Sequence, residues 1–230
     1  MKKTILALAA IAACVSASAQ DAAKTSALAV TLDTTYVSDY VFRGQKVADA
    51  SIQPSVEASY GDFYAGIWYS DALSNKVGPL AFDSEADLYA GYNLAINETF
   101  SADFGVTRYT YSGGSQSDTT EAFGGIKADV LLSPSAYYYY DFHLETSTYV
   151  LSVGHSVPVA KLGVSVDFSG SFGYVQIPGA DYSYWGVGAA VPYKLSDTAT
   201  LTGAVNYTHN DISSLIQDQV VFSVGLSVGF

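Results

Sequence analysis

From about residue 28 to the final residue, apolar side chains recur at every second position, which is the period of a β-strand and not of a helix. The last segment shows it most clearly. Val220, Phe222, Val224, Leu226, Val228 and Phe230 share one face, and Val221, Ser223, Gly225, Ser227 and Gly229 share the other. The same alternation puts Leu201, Val205 and Tyr207 opposite Thr200, Thr202 and Asn206, and Phe100, Phe104 and Val106 opposite Ser101, Asp103 and Thr107. Ile52, Pro54 and Val56 alternate likewise with Gln53, Ser55 and Glu57. Twelve such segments are expected, at 28–42, 51–60, 62–70, 85–95, 99–111, 119–130, 136–144, 148–157, 162–173, 182–194, 199–208 and 219–230. No run approaches the ~18 apolar residues of a spanning helix, so any membrane is crossed by strands.

Periodicity identifies an apolar face but not its direction. A soluble sandwich would turn that face inward, whereas a membrane barrel turns it to lipid. Three features favour the barrel. The polar face is rich in Gly, Ser and Thr, as a wet lumen requires. Aromatics crowd the strand ends (Tyr36, Tyr40, Phe42, Tyr60, Phe63, Tyr92, Phe100, Tyr207), where a lipid interface favours amphipathic rings. The chain also stops on an alternating apolar strand whose terminal Phe230 has the form of an assembly signal. Links after the second, fourth, sixth, eighth and tenth strands are short. Those after the first, third, fifth, ninth and eleventh are expected to be longer, and the link after the seventh, Glu145 to Ser147, is short. Short turns at one end and long loops at the other describe an all-β, antiparallel, up-and-down outer-membrane barrel of about twelve strands, with both termini in the periplasm.

The amino-terminal segment is expected to be removed. Met1-Lys2-Lys3-Thr4 precedes the apolar run Ile5 to Val15, and Ala17-Ser18-Ala19 supplies the small residues of a cleavage site. Residues 1–19 then form a signal peptide and 20–230 the barrel. Ile11-Ala12-Ala13-Cys14 permits an alternative reading as a lipoprotein box with Cys14 lipidated. Cys14 is the single cysteine, so intrachain disulfides and cysteine-based metal sites are excluded. Loss of Lys2 and Lys3 leaves 8 basic residues against 22 acidic ones, a net charge of −14. That sign argues against nucleic-acid binding, which needs a basic face. No cofactor is implied. The expected partners are outer-membrane lipid and lipopolysaccharide, the barrel-assembly machinery and small solutes.

With the apolar face outward, the lumen is expected to collect Glu57, Glu85, Asp87, Asp103, Glu121, Lys127, Asp129, Asp141, His143, Glu145 and Asp167, with Asp39 and Arg43 on the inward face of the first strand. So acidic a lining would attract cations and repel anions. The plainer reading is that these acids hydrate and brace the interior by pairing with Arg43, Lys127 and tyrosine hydroxyls. Tyr64, Trp68, Tyr137 and Tyr139 also point inward, and twelve strands enclose less room than the 16–18 of general porins, so the bore should be narrow. A hydrolase is the enzymatic alternative, with Asp141 and His143 on one inward face opposite Glu85 and Asp87. A Ser–His lipase is weaker, because His155 and Ser156 point to opposite faces and no Gly-x-Ser-x-Gly turn exists. His209 is expected to begin a loop.

Ser38-Asp39-Tyr40-Val41-Phe42-Arg43-Gly44, then Gln53-Pro54, Gly61-Asp62-Phe63-Tyr64-Ala65-Gly66-Ile67-Trp68 and Glu85-Ala86-Asp87-Leu88-Tyr89-Ala90-Gly91-Tyr92, resemble the TorF-type porins, a family formerly of unknown function. The likeness covers roughly the first third of the mature chain. The chain has Gln45-Lys46 where members commonly carry Ser or a similar polar residue after Arg-Gly. The resemblance implies an outer-membrane barrel with a transport role, and names neither substrate nor catalytic residue. The expected function is passive passage of small hydrophilic solutes or cations. A plugged structural or surface-interaction barrel is the alternative.

Overall fold

The computed structural model describes residues 27–74, 82–114 and 116–230. The expected leader and Cys14 lie outside the described residues, as does much of the link 71–84. Among the described residues fourteen strands are present: β1 (Ala29–Val37), β2 (Tyr40–Phe42), β3 (Gln45–Ala48), β4 (Ser51–Tyr60), β5 (Phe63–Ala72), β6 (Ser84–Ala95), β7 (Phe100–Ser112), β8 (Thr119–Ala128), β9 (Ser135–Asp141), β10 (Thr146–Val159), β11 (Val164–Ile177), β12 (Ala180–Lys194), β13 (Ala199–Asn210) and β14 (Asp218–Gly229). All but β2 and β3 form one closed antiparallel barrel in which each strand lies beside its neighbour in sequence. The seam is made by β1, which pairs with β4 (Ala29 opposite Ser59) and with β14 (Thr31 opposite Gly229). Phe230 completes it, its backbone exchanging hydrogen bonds with that of Val30. Closure leaves no unpaired edge, the condition for a sheet to stand in lipid.

The direction of the apolar face is settled by exposure. Leu88 is 62% exposed, Phe222 59% and Val224 52%, while Ser223 and Gln219 on the opposite face of β14 are buried. The apolar set therefore faces outward and the Gly/Ser/Thr set lines the lumen, the reverse of a soluble sandwich. Rings gather outside at both rims. Phe63 and Tyr92 lie 4.6 Å apart and Tyr92 and Phe104 5.6 Å apart at the short-turn end. Trp185 and Tyr207 lie 5.2 Å apart and Tyr138 and Tyr149 5.1 Å apart at the other. Two such girdles flanking an apolar band are the pattern of a barrel set across a bilayer.

Two links depart from expectation. β11 and β12 run on to Ile177 and Ala180, so the link after the ninth segment is the tight Pro178-Gly179 turn and not a long loop. The first segment does not continue to residue 42. β1 ends at Val37, and the chain bends inward to form β2 and β3, a small hairpin separate from the barrel wall. Arg43 and Gly44 link those strands with φ of 44° and 77°. Positive φ at both central residues is what a type I′ two-residue turn demands. At Gly44 a Cβ would stand 2.6 Å from Cβ of Tyr184, so the tip also requires glycine for close approach to the wall.

Candidate functional site

The hairpin lies inside the barrel and makes the lumen a site. Phe42 and Val47 are fully buried, and with Val37, Tyr40, Val41 and Ala48 they pack against Phe82, Tyr109 and Val221, with Trp68 and Tyr111 alongside. Tyr40 and Trp68 rings meet at 5.7 Å. This is an apolar core inside a polar lumen, and its burial drives the hairpin inward.

Four polar contacts fix the hairpin across the bore. The Tyr40 hydroxyl donates to Glu85 Oε2 at 2.7 Å on β6, and Arg43 Nη2 donates to Glu121 Oε2 at 2.7 Å on β8. From the other side, the Tyr182 hydroxyl on β12 accepts from Gln45 Nε2 at 2.8 Å, and Asn210 Nδ2 on β13 donates to the Gly44 carbonyl at 2.7 Å. The hairpin thus reaches from one wall of the barrel to the other. Arg43 is 3% exposed and Glu121 1%, and the Arg43 guanidinium lies 5.2 Å from the Tyr139 ring centroid. Burial alone would lower the Arg43 pKa, but the Glu121 carboxylate together with Tyr109, Tyr184 and Tyr182 more than offsets it, so Arg43 is held charged. At the neck, Lys46 bridges Asp39 and Asp49; burial opposes its charge, and hydrogen bonds to those two carboxylates raise its pKa overall.

Several of the remaining acids accept side-chain hydrogen bonds across neighbouring strands. Asp103 accepts from Tyr64 at 2.9 Å and Tyr137 at 2.6 Å, and lies 3.2 Å from Lys127 Nζ. Glu57 accepts from Tyr89 at 3.0 Å, and Glu121 takes a second bond from Tyr109 at 3.0 Å. Asp167 accepts from Ser156 at 2.6 Å and Ser165 at 2.8 Å. Asp87 is buried, and among the described residues its Oδ1 has no hydrogen-bond partner.

Glu57, Glu85, Asp87, Asp103, Glu121, Lys127, Asp141 and Asp167 all stand on the inward face. Five expected positions do not stand on the barrel wall's inward face. Asp129 follows the end of β8 and is exposed in the short turn. His143 and Glu145 lie in the exposed turn between β9 and β10, where period two no longer applies. Arg43 reaches the lumen from the hairpin tip and Asp39 from its neck, neither from the wall of β1. The Asp141–His143 pairing is not assembled. The Asp141 carboxylate accepts from the backbone N–H groups of His143 at 2.9 Å and Leu144 at 2.7 Å and from the Thr119 hydroxyl, so it caps the turn. β9 and β6 are also not neighbours, since β7 and β8 stand between them. His155 is on the outward face, and His209 lies within β13, not in a loop, 2.9 Å from Asp218. Among the described residues no cluster of His, Cys, Asp or Glu is placed to hold a metal ion.

The hairpin itself was legible but misread. Tyr40-Val41-Phe42 followed by Arg43-Gly44 and Gln45-Lys46-Val47 is a short alternating run, a Gly-containing two-residue turn and a second short run. Its strand-like residues continue the period of β1 and hide the boundary.

Comparison with known proteins follows the same lines. The chain matches, over residues 21–229, the family described as "Bacterial protein of unknown function (Gcw_chp)". No curated protein matches it by sequence. Among solved structures it is similar to the KdgM porin, with a TM-score of 0.61 at 13% identity over 87% of this chain and 99% of that one. It is also similar to the COG4313 outer membrane channel from Pseudomonas putida F1, with a TM-score of 0.58 at 9% identity over 88% and 94% of the two chains. The NanC porin gives a TM-score of 0.56 at 10% identity over 86% and 98%. At these identities the likeness is one of fold.

Proposed function

The chain belongs to the Gcw_chp family of bacterial proteins of unknown function, and on that premise we propose that it is an outer-membrane, porin-like channel for small hydrophilic solutes or cations, constricted by the β2–β3 hairpin. The observation that carries this reading is the closed barrel with an apolar outside and a Gly/Ser/Thr-lined inside, crossed by a hairpin that four side-chain contacts hold. The fold shared with porins and the resemblance of the first third to TorF-type porins support it. Inward carboxylates outnumber Arg43 and Lys127, which gives the lumen a negative potential that favours cations. Lipid and lipopolysaccharide would meet the outward band, and the barrel-assembly machinery would meet β14 with Phe230.

The dry core around Phe42 and Val47 favours a second reading, a plugged barrel that serves the envelope structurally or binds at its surface. Planar-bilayer recording of the refolded mature protein across a salt gradient separates the two. Discrete, cation-preferring steps that grow when residues 40–48 are replaced by a short Gly-Ser link support the channel. Silence in both the native chain and that variant, each correctly folded, refutes it in favour of the plug.

A further inference from the structure

The two walls of the lumen are built differently. Inward positions of β5 to β9 carry Tyr64, Trp68, Tyr89, Tyr109, Tyr137 and Tyr139, whose hydroxyls and rings fill that side and hold its carboxylates. Beyond the residues that meet the hairpin tip (Tyr182 and Tyr184), the middle stretch of β11 to β14 carries mostly small inward residues: Ser169 and Ser171, Gly186 and Gly188, Asn206 and Thr208, Ser223 and Gly225. A Cβ at Gly188 would stand 2.1 Å from Oδ1 of Asn206 and 2.8 Å from Oγ of Ser169, so a side chain there would displace both groups. The space this leaves is occupied by no side chain among the described residues. A cavity of about 70 Å³ lies between this wall and the segment Val37 to Val41 that leads into the hairpin.

Its lining mixes uncharged polar groups with apolar ones. Ser169, Ser171 and Thr208 offer hydroxyls and Gln53 and Asn206 offer amides, while Val37, Val41 and Val221 supply the apolar surface against which the carbon face of a polyol packs. The one charged group on its border is Asp39, which Lys46 already neutralises. Along β12 and β13 the cavity begins one inward position beyond the hairpin anchors, at Gly186 after Tyr184 and at Thr208 before Asn210.

We propose that this cavity is a binding station for an uncharged, hydroxyl-bearing solute of polyol or sugar type, and that solutes travel along the β11–β14 wall while the acidic, tyrosine-filled wall braces the hairpin. A cation finds no unpaired carboxylate in the cavity, and an anion finds no unpaired cation there. A polyol can trade each water contact for a hydroxyl or amide, and such groups both donate and accept. This inference rests on the channel reading and narrows its solute class.

The test is swelling of proteoliposomes in glycerol and in larger neutral sugars, run beside salt conductance. Ser171→Cys and Thr107→Cys, the latter on the inward face of β7, are each made in a Cys14→Ser background and treated with a bulky neutral thiol reagent. The expected result is glycerol uptake by the native chain, lost on modification at Ser171→Cys and retained at Thr107→Cys. Salt conductance without glycerol uptake overturns the solute class and leaves the channel reading standing. Uptake that modification at Ser171→Cys leaves unchanged, or equal loss at both positions, overturns the route. A folded protein that passes neither salt nor glycerol overturns the channel reading, and this inference with it.

Discussion

Removing Arg43 should free the hairpin without unfolding the barrel. In the native arrangement Glu121 is 1% exposed and its charge is met by Arg43 at 2.7 Å and by the Tyr109 hydroxyl at 3.0 Å. Arg43→Ala leaves that carboxylate buried with one neutral donor, and stranding one partner of a buried ion pair costs about 3–5 kcal/mol. The contact over Tyr139 is also lost, worth roughly 0.5–2 kcal/mol. Twelve paired strands do not depend on either contact, so the strain is relieved by withdrawing the hairpin and hydrating Glu121. Together these come to about 3.5–7 kcal/mol, so at about 1.4 kcal/mol per tenfold the ratio of withdrawn to inserted hairpin should rise roughly 300- to 100,000-fold. A cysteine placed at Val47, 1% exposed in the inserted state, reports this directly through its rate of labelling. Single-channel records should show longer and larger openings at the same time. Arg43→Met combined with Glu121→Met should restore protection, because replacing a buried pair by apolar side chains of similar volume is often neutral. An Arg43→Ala protein with native labelling rate and native openings would refute the reasoning.

Gly44→Val should displace the tip as well, since φ is 77° and the new Cβ would stand 2.6 Å from Tyr184; unchanged labelling at Val47 would count against the observed tip geometry. Asp103→Asn should lower the urea midpoint of the lipid-embedded barrel by an amount equivalent to about 1–3 kcal/mol, because two tyrosine hydroxyls and Lys127 lose a charged acceptor; no shift would show that these contacts do not brace the wall. Asp141→Ala should destabilise the β9–β10 turn by loss of two backbone acceptor contacts, seen as faster proteolysis there; a selective loss of peptide hydrolysis with the turn intact would instead revive the catalytic reading. Deleting Phe230 should slow assembly, read as a smaller fraction of the fast-migrating unheated species on gels, since its backbone closes the seam with Val30.

The barrel was legible because its alternation survives along each strand, and β14 shows how little else is needed. Its six outward residues and six inward ones come straight from period two. Direction was a separate matter, since the same pattern serves a sandwich, and the exposure of Leu88, Phe222 and Val224 against the burial of Gln219 and Ser223 decides it. Strand ends were less legible. Asp129 and His143 sit one and two residues past the last paired position, where a turn rotates the side chain out of register with the strand. The hairpin was hidden because Val41 and Phe42 suit a strand wherever that strand lies. The contacts that fix it are non-local, Arg43 to Glu121 across 78 positions and Gly44 to Asn210 across 166, and no local pattern encodes them.

That crossing has a mechanical side. A ring of strands one layer thick is stiff along its hydrogen bonds but easily squeezed into an oval. The hairpin ties β6 and β8 to β12 and β13 like a spoke across a wheel. With the spoke in place the cross-section keeps its shape under lateral pressure from the bilayer. With it withdrawn the same wall should breathe, so that current noise, and not only mean current, becomes a signature of the state of the hairpin.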